Sequence, residues 1–292
     1  MSSGDHSQRC LFCGSEKIAP TAFPRPTFFN AKSFHYLECR SCNLVFIDPI
    51  PSDDDYAKMY ALDYHDQFYF KQPNDSYRVL YELLESFRPR RSLIDFGCGD
   101  GSFLHYLKGR EYVCAGVEFN EKLVLRLRDM YADISFSTVD GFPSMASTVK
   151  PGVIYMGDVL EHLSKPYEIL QSLYTNLEPG GMLLVQGPLE NNTHLALAFR
   201  KFISRMKGRS QATHVPYHIS FSNADNQREV FERAGFQTLY YHLHETPWPM
   251  PARFSLSPVR ALQWAVAKVS IFVSRLRAQN MGNRFIYIGR KG

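Results

Sequence analysis

Four of the six cysteines come in two pairs, Cys10-x-x-Cys13 and Cys39-x-x-Cys42. Pairs spaced like this can bring four thiolates onto one tetrahedral Zn²⁺, and a set of four leaves no position for water or substrate, so the expected role is structural. Two disulfides would be the competing reading, but Met1-Ser2-Ser3-Gly4-Asp5-His6 lacks the basic-then-apolar layout of a signal peptide. Histidine is the side chain best suited to proton transfer near neutrality, and His162, His214 and His218 are the candidates. The third chemical feature is Leu93-Ile94-Asp95-Phe96-Gly97-Cys98-Gly99-Asp100-Gly101-Ser102-Phe103, an apolar run closed by an acid and followed by three alternating glycines. Glycine permits positive φ and close approach of backbone to ligand, as a strand-to-helix turn over a bound cofactor requires.

The elements that position these groups read as alternating strand and helix. Cys114 to Glu118 is a second short strand ending in an acid, 23 residues beyond Asp95, with Phe119 next in the chain. An acid there can accept hydrogen bonds from the ribose hydroxyls of an adenosine. Asp140-Gly141-Phe142 follows a third apolar stretch. Val153 to Gly157 is a fourth strand that runs into Asp158-Val159-Leu160-Glu161-His162, and Leu177 to Val185 supplies a helix end, a turn and a fifth strand. The alternation predicts a doubly wound α/β sheet. A nicotinamide turn wants GxGxxG, and position 102 is Ser.

In this order the segments resemble the class I S-adenosylmethionine-dependent methyltransferases. Asp95 to Gly101 matches that family's motif I, and residues 158–162 match its DVLEH segment. The resemblance implies a Rossmann-like seven-stranded sheet binding S-adenosyl-L-methionine through Asp95, Gly97, Gly99, Gly101, Glu118, Phe119, Asp140, Gly141 and Asp158. Methyl transfer from a sulfonium is an in-line displacement, so the enzyme has to align a nucleophile and exclude water.

Two further stretches narrow the family. The cysteine module followed by Pro49-Ile50-Pro51 resembles the N-terminal zinc ribbon of bacterial sugar C-methyltransferases. Thr213 to Ser222 resembles their EHxxYFS stretch, which puts His218 first among the candidate bases; Tyr217 stands where that pattern has Glu. The implied acceptor is a small molecule such as a nucleotide-linked sugar or another anionic metabolite, methylated on oxygen or carbon. Nucleobase amino methyltransferases carry an Asn/Asp-Pro-Pro-aromatic turn where this chain has Asp158-Val159-Leu160-Glu161, which argues against that acceptor. A zinc ribbon with a basic C-terminal half is also the plan of some ribosomal RNA methyltransferases.

Residues 1–194 hold 18 Lys/Arg against 25 Asp/Glu, and residues 195–292 hold 15 against 4. Phosphate, nucleic acid and anionic membrane all suit such a basic half, as does a solvated surface. No run reaches the length of a spanning segment, and a cytoplasmic enzyme is expected. The expected division is a zinc ribbon at 1–50, a helical connector and cofactor lid at 51–90, with Tyr64 a lid contact, and the α/β domain at 91–292. Insertions fall at 189–224 and 247–280. The first holds a helix from Leu195 to Met206 with a basic rim of Arg200, Lys201, Arg205, Lys207 and Arg209. The second begins at Ser257-Pro258, and Val259, Leu262, Val266, Val269, Val273 and Leu276 repeat on one face, suited to core packing, a homodimer or peripheral membrane contact.

Overall fold

The computed structural model describes residues 9–21, 23–60, 76–206, 215–247, 253–254, 256–276 and 281–292, without the side chains of residues 76, 200 and 203–206. Two sheets organise it. The first is built from β1 (Ile18–Pro20), β2 (Thr27–Phe29), β3 (Lys32–Cys39), β4 (Val45–Asp48) and β10 (Ser220–Phe221). The last of these comes from much later in the chain and pairs antiparallel with β4, Ser220 opposite Phe46. The second sheet has seven strands: β5 (Ser92–Phe96), β6 (Val113–Val117), β7 (Ser135–Ser137), β8 (Val153–Gly157), β9 (Met182–Pro188), β11 (Phe236–His244) and β12 (Arg284–Lys291). Their order is β11-β12-β9-β8-β5-β6-β7, with β12 antiparallel to both its neighbours and the other pairs parallel. The antiparallel β12 lies one strand in, and β11 takes the edge.

All five residues of β5 are buried, as in a strand covered on both faces. Ile94 and Phe96 join Val117, Met156 and Val185 beneath α5 (Phe142–Val149), α6 (Pro166–Asn176) and α8 (Ala224–Arg233). Leu93, Cys114 and Leu184 turn the other way, under α2 (Ser76–Ser86), α3 (Ser102–Lys108) and α4 (Glu121–Met130). The strand order reverses between β6 and β8, on either side of β5. Ligands of doubly wound sheets bind at such a point, outside the carboxyl ends of the strands.

A ribbon of this size is too small to stabilise itself by apolar burial, and here it has company. Phe12, Leu37, Leu44 and Phe46 belong to the same apolar cluster as Ile94 and Val185. Arg233 of α8 donates to the Phe12 carbonyl at 2.7 Å, and Asn226 donates to the Cys42 carbonyl at 2.9 Å. Of the aromatics between the cysteine pairs, Phe34 and Tyr36 are core residues, packed with Val45, Ile47 and Ile219. After the ribbon, α1 (Asp53–Met59) starts with a reciprocal cap: Ser52 Oγ accepts from the Asp55 N–H, and Asp55 Oδ2 accepts from the Ser52 N–H at 2.9 Å.

The insertion helices α7 (Leu195–Met206) and α9 (Pro258–Leu276) pack against each other through Ala196, Phe199, Val266 and Ala267. Of the periodic residues of α9, Val266 joins this contact. Ala267, Ser270 and Ser274 are buried, whereas Val259, Leu262, Val269, Phe272 and Leu276 are exposed. Small residues let two helices approach closely, which the valine and leucine face does not. Among the described residues, no helix is long and apolar enough to cross a membrane.

Candidate active site

At its carboxyl end β5 turns sharply. Gly97 and Gly99 have φ of 84° and 53°. A Cβ on Gly97 would lie 2.4 Å from a methyl of Val159, so glycine is required there both for conformation and for space. The Gly97 and Cys98 N–H groups both donate to the Val117 carbonyl, tying the turn to β6. Glu118, at the end of β6, completes the clasp: its carboxylate accepts from the N–H groups of Gly99, Phe119 and Asn120 at 3.0, 2.9 and 3.2 Å. A carboxylate has about four acceptor positions, so Glu118 is aimed and retains capacity for a further donor.

These residues open onto a cavity of about 1050 Å³. Asp95, Gly97, Gly99, Glu118, Phe119 and Asp158 line it, and so do His162 and His218. Three other expected residues sit differently. Gly101, with φ of 71°, begins α3 and lies beneath the ring of Tyr131. Asp140 and Gly141 belong to a short 3₁₀ turn that gives Val139, not themselves, to the lining. His214 and Tyr64 lie outside the described residues, as do Lys207 and Arg209 of the basic rim and the side chains of Arg200 and Arg205. Lys201 is engaged, donating to Asn191 Oδ1 at 3.1 Å.

The cavity floor is acidic. Asp95, Asp100 and Glu118 are all buried, and Asp95 Oδ1 has no hydrogen-bond partner. Burial, followed by the neighbouring Glu118 and Asp100, drives the Asp95 pKa far above the usual carboxylate range. Burial also raises that of Glu118, partly offset by its three backbone donors. Buried carboxyl groups crowded in this way favour a cationic ligand bearing N–H donors.

The facing wall carries the groups for proton transfer. His162 and Glu161 lie on a 3₁₀ turn that leaves β8, and His218 comes from the segment before β10. The two imidazoles meet edge-on with centroids 4.7 Å apart. His162 Nδ1 donates to the Tyr217 carbonyl at 2.8 Å and also contacts the Tyr60 hydroxyl at 2.8 Å. Its other nitrogen lies 3.7 Å from Glu161 Oε1. Burial, then the neighbouring His218, holds the His162 pKa down to about 3. His218 Nδ1 is hydrogen-bonded to Glu190, a residue just beyond the end of β9. Burial disfavours the His218 imidazolium, but Glu190, Glu161 and Asp158 outweigh it and raise the pKa to about 9. Glu161 is itself pushed up by burial and by Asp158. Asp158, with φ of 55°, is held by Arg284 of β12 at 2.7 and 2.8 Å, so its carboxylate is already committed within the protein.

The carboxylate that chain position 217 lacks is thus supplied by Glu190, 28 residues before His218. Sequence spacing gives little sign of this pairing. The one available signal is that Glu190 follows a parallel strand at its carboxyl end, where site residues of such sheets gather. Tyr60, Tyr217, Glu161 and Arg284 also line the cavity and were given no role by sequence reasoning.

Outside the cavity lining, the sulfur atoms of Cys10, Cys13, Cys39 and Cys42 all lie within 4.8 Å of one another. Cys10 and Cys42 are 3.5 Å apart, and Cys13 and Cys39 3.6 Å. A hydrogen bond from the Cys42 thiol lowers the Cys10 pKa to about 5, while burial raises that of Cys13 to about 11.

The sequence model of the methyltransferase domain matches residues 65–241. A Mycolicibacterium smegmatis protein named "probable S-adenosylmethionine-dependent methyltransferase" is 25% identical over 163 residues, covering 55% of this chain and 58% of that protein. The trans-aconitate 2-methyltransferase of Agrobacterium fabrum is 27% identical over 137 residues, 45% of this chain and 53% of the relative. The chain thus spans little more than half the length of these relatives. Among solved structures, Burkholderia thailandensis 1,6-didemethyltoxoflavin-N1-methyltransferase, with 1,6-didemethyltoxoflavin and S-adenosylhomocysteine bound, aligns with a TM-score of 0.52 at 13% identity. That alignment covers 91% of this chain and 99% of the other and is a likeness of fold.

Proposed function

Since this chain belongs to the methyltransferase-domain family, we propose that its cavity binds S-adenosyl-L-methionine and serves methyl transfer to a small anionic or glycosyl acceptor, on oxygen or carbon. The observation that carries this reading is the glycine turn over buried acids, with Asp95 Oδ1 unpartnered, opening onto the same cavity as two imidazoles. Gly97 and Gly99 leave room for the cofactor, Glu118 accepts from its ribose, and Asp95 accepts from its ammonium group. Phe119 and Asp158 would shape its walls with Val139, the neighbour of Asp140 and Gly141, while Gly101 would support the turn from the start of α3. When bound, the cofactor supplies an electrophilic methyl group on a sulfonium.

The acceptor's reacting atom belongs beside His218. Glu190 orients that ring through Nδ1 and raises its basicity, so the neutral form of the ring, favoured at alkaline pH, would draw off the acceptor's proton at Nε2. His162 adds a neutral imidazole at the same place. The names of the trans-aconitate methyltransferases are consistent with a small anionic acceptor. The zinc-ribbon-like module and the His218 stretch favour a nucleotide-linked sugar within that class. Incubation with cofactor carrying a labelled methyl group should label nucleotide sugars or small carboxylates. Label appearing only in RNA or protein would overturn the acceptor class.

We assign the four thiolates to one structural Zn²⁺. A tetrahedral ZnS₄ unit with bonds of about 2.3 Å places its sulfurs about 3.8 Å apart, close to the spacings seen here. The cation allows all four sulfurs to be thiolates without mutual repulsion.

A further inference from the structure

We propose that Glu161, His162 and His218 bind a divalent metal ion, which takes up the oxygen of the methyl acceptor. The three side chains offer ligand atoms that all lie within 4.8 Å of one another, at the wall of the cavity. Two imidazoles and one carboxylate, with the remaining positions open, form a donor set suited to zinc, cobalt, nickel or iron. The set is distinct in chemistry from the soft four-thiolate cluster.

What surrounds the three residues carries the argument further. A histidine that ligates a metal almost always donates its other ring N–H to a carboxylate or a backbone carbonyl. Both histidines are held this way: His218 Nδ1 by the Glu190 carboxylate, and His162 Nδ1 by the Tyr217 carbonyl at 2.8 Å. Each ring therefore keeps Nε2 as the nitrogen available to a metal, and Glu161 Oε1 lies 3.7 Å from His162 Nε2. Bonds of about 2.0 to 2.2 Å require ligand atoms about 3.0 to 3.6 Å apart, so a small inward shift completes the site. Tyr56 braces the turn by donating to the His162 carbonyl at 2.9 Å, and the Ile219 N–H donates to the Glu161 carbonyl at 2.7 Å. Asp158 is not counted as a ligand, because Arg284 holds it.

The inference rests on the reading of this cavity as a methyl-transfer site and changes the agent that activates the acceptor. A hydroxyl bound to the cation loses its proton to solvent more readily. The resulting oxygen attacks the methyl carbon of the sulfonium, and as the O–C bond forms the S–C bond breaks, its electron pair remaining on sulfur. His218 then acts as a ligand, with Glu190 as its positioning residue.

Cobalt(II) titration of the full chain, followed by absorption, tests the proposal independently of catalysis. Nitrogen and oxygen ligation gives weak d–d bands, whereas thiolate ligation adds intense charge transfer, so the two clusters are separable. One equivalent of Co²⁺ should bind with d–d bands alone. That signal should be absent in His218→Ala and weakened about 10-fold or more in Glu190→Gln. Unchanged S-adenosylhomocysteine binding by both variants would verify that they are folded. No such band in the parent protein, or one that persists unchanged in His218→Ala, overturns the metal site. A parent protein that gives the band and loses methyl transfer on chelation supports it. Failure to bind S-adenosylhomocysteine, by contrast, would strike the methyl-transfer reading and leave the cobalt result standing.

Discussion

The two clusters of metal-capable side chains differ in how they are assembled and in what they leave open. The thiol cluster is formed by two CxxC pairs, brings four sulfurs within 4.8 Å of one another, and lies in apolar packing shared with the main sheet. The Glu161, His162 and His218 cluster draws on two separate segments, leans on Glu190 from a third, and faces a cavity of about 1050 Å³. A closed set can stabilise a fold but has no vacancy for chemistry. An open set beside a cavity can do chemistry, and its residues need support from neighbours that are themselves fixed.

If that contrast holds, changes in the two clusters should separate into stability and turnover. The largest effect is expected from Cys39→Ser. The protein should lose its bound zinc and several kcal/mol of stability, given that such sites contribute on the order of 10 kcal/mol in isolated fingers. Metal analysis and thermal unfolding would show it. A metal-free variant with intact melting behaviour would remove the structural role. His218→Ala should reverse the pattern, with turnover falling on the order of 10²-fold or more while the melting temperature stays near that of the parent. Unchanged turnover would take His218 out of the site.

Much of the closed cluster, and of the glycine turn, is legible in the sequence because local spacing determines it. Cys10 to Cys13 and Asp95 to Gly101 each lie within a few residues, and both regions have the geometry their spacing implies. The open cluster is legible only in part. His162 and His218 are visible as residue types, but the Glu190 partner arrives through the meeting of the segment after β9 with the one before β10, which spacing does not encode. The same limit explains α9. Its valine and leucine periodicity is real, yet its buried residues are Ala267, which packs on Ala196 of α7, and Ser270 and Ser274, which hydrogen-bond to Glu245 and to the Met281 carbonyl.

A smaller effect sharpens the contrast at the edge of the ribbon, where a charged group has a purely structural task. Asp55 is buried; this disfavours its charge, but hydrogen bonds from Lys32, Ser52 and Asn30 more than compensate and hold its pKa well below the usual range. With the folded pKa depressed, its contribution is complete above about pH 4 and is lost as pH falls further. Asp55→Asn should therefore cost about 1 to 2 kcal/mol at pH 7 and less near pH 3, with turnover unchanged. Urea unfolding at the two pH values checks this, and an equal cost at both would contradict it.

The central claim, that the glycine turn and its buried acids form a cofactor site, is tested most directly by calorimetry with S-adenosylhomocysteine. The parent protein should bind one equivalent, and Gly99→Val should bind none while keeping its zinc and its cooperative unfolding, because a branched side chain there fills the space over the turn. No binding by the parent, or binding of full strength by a folded Gly99→Val protein, would contradict the account.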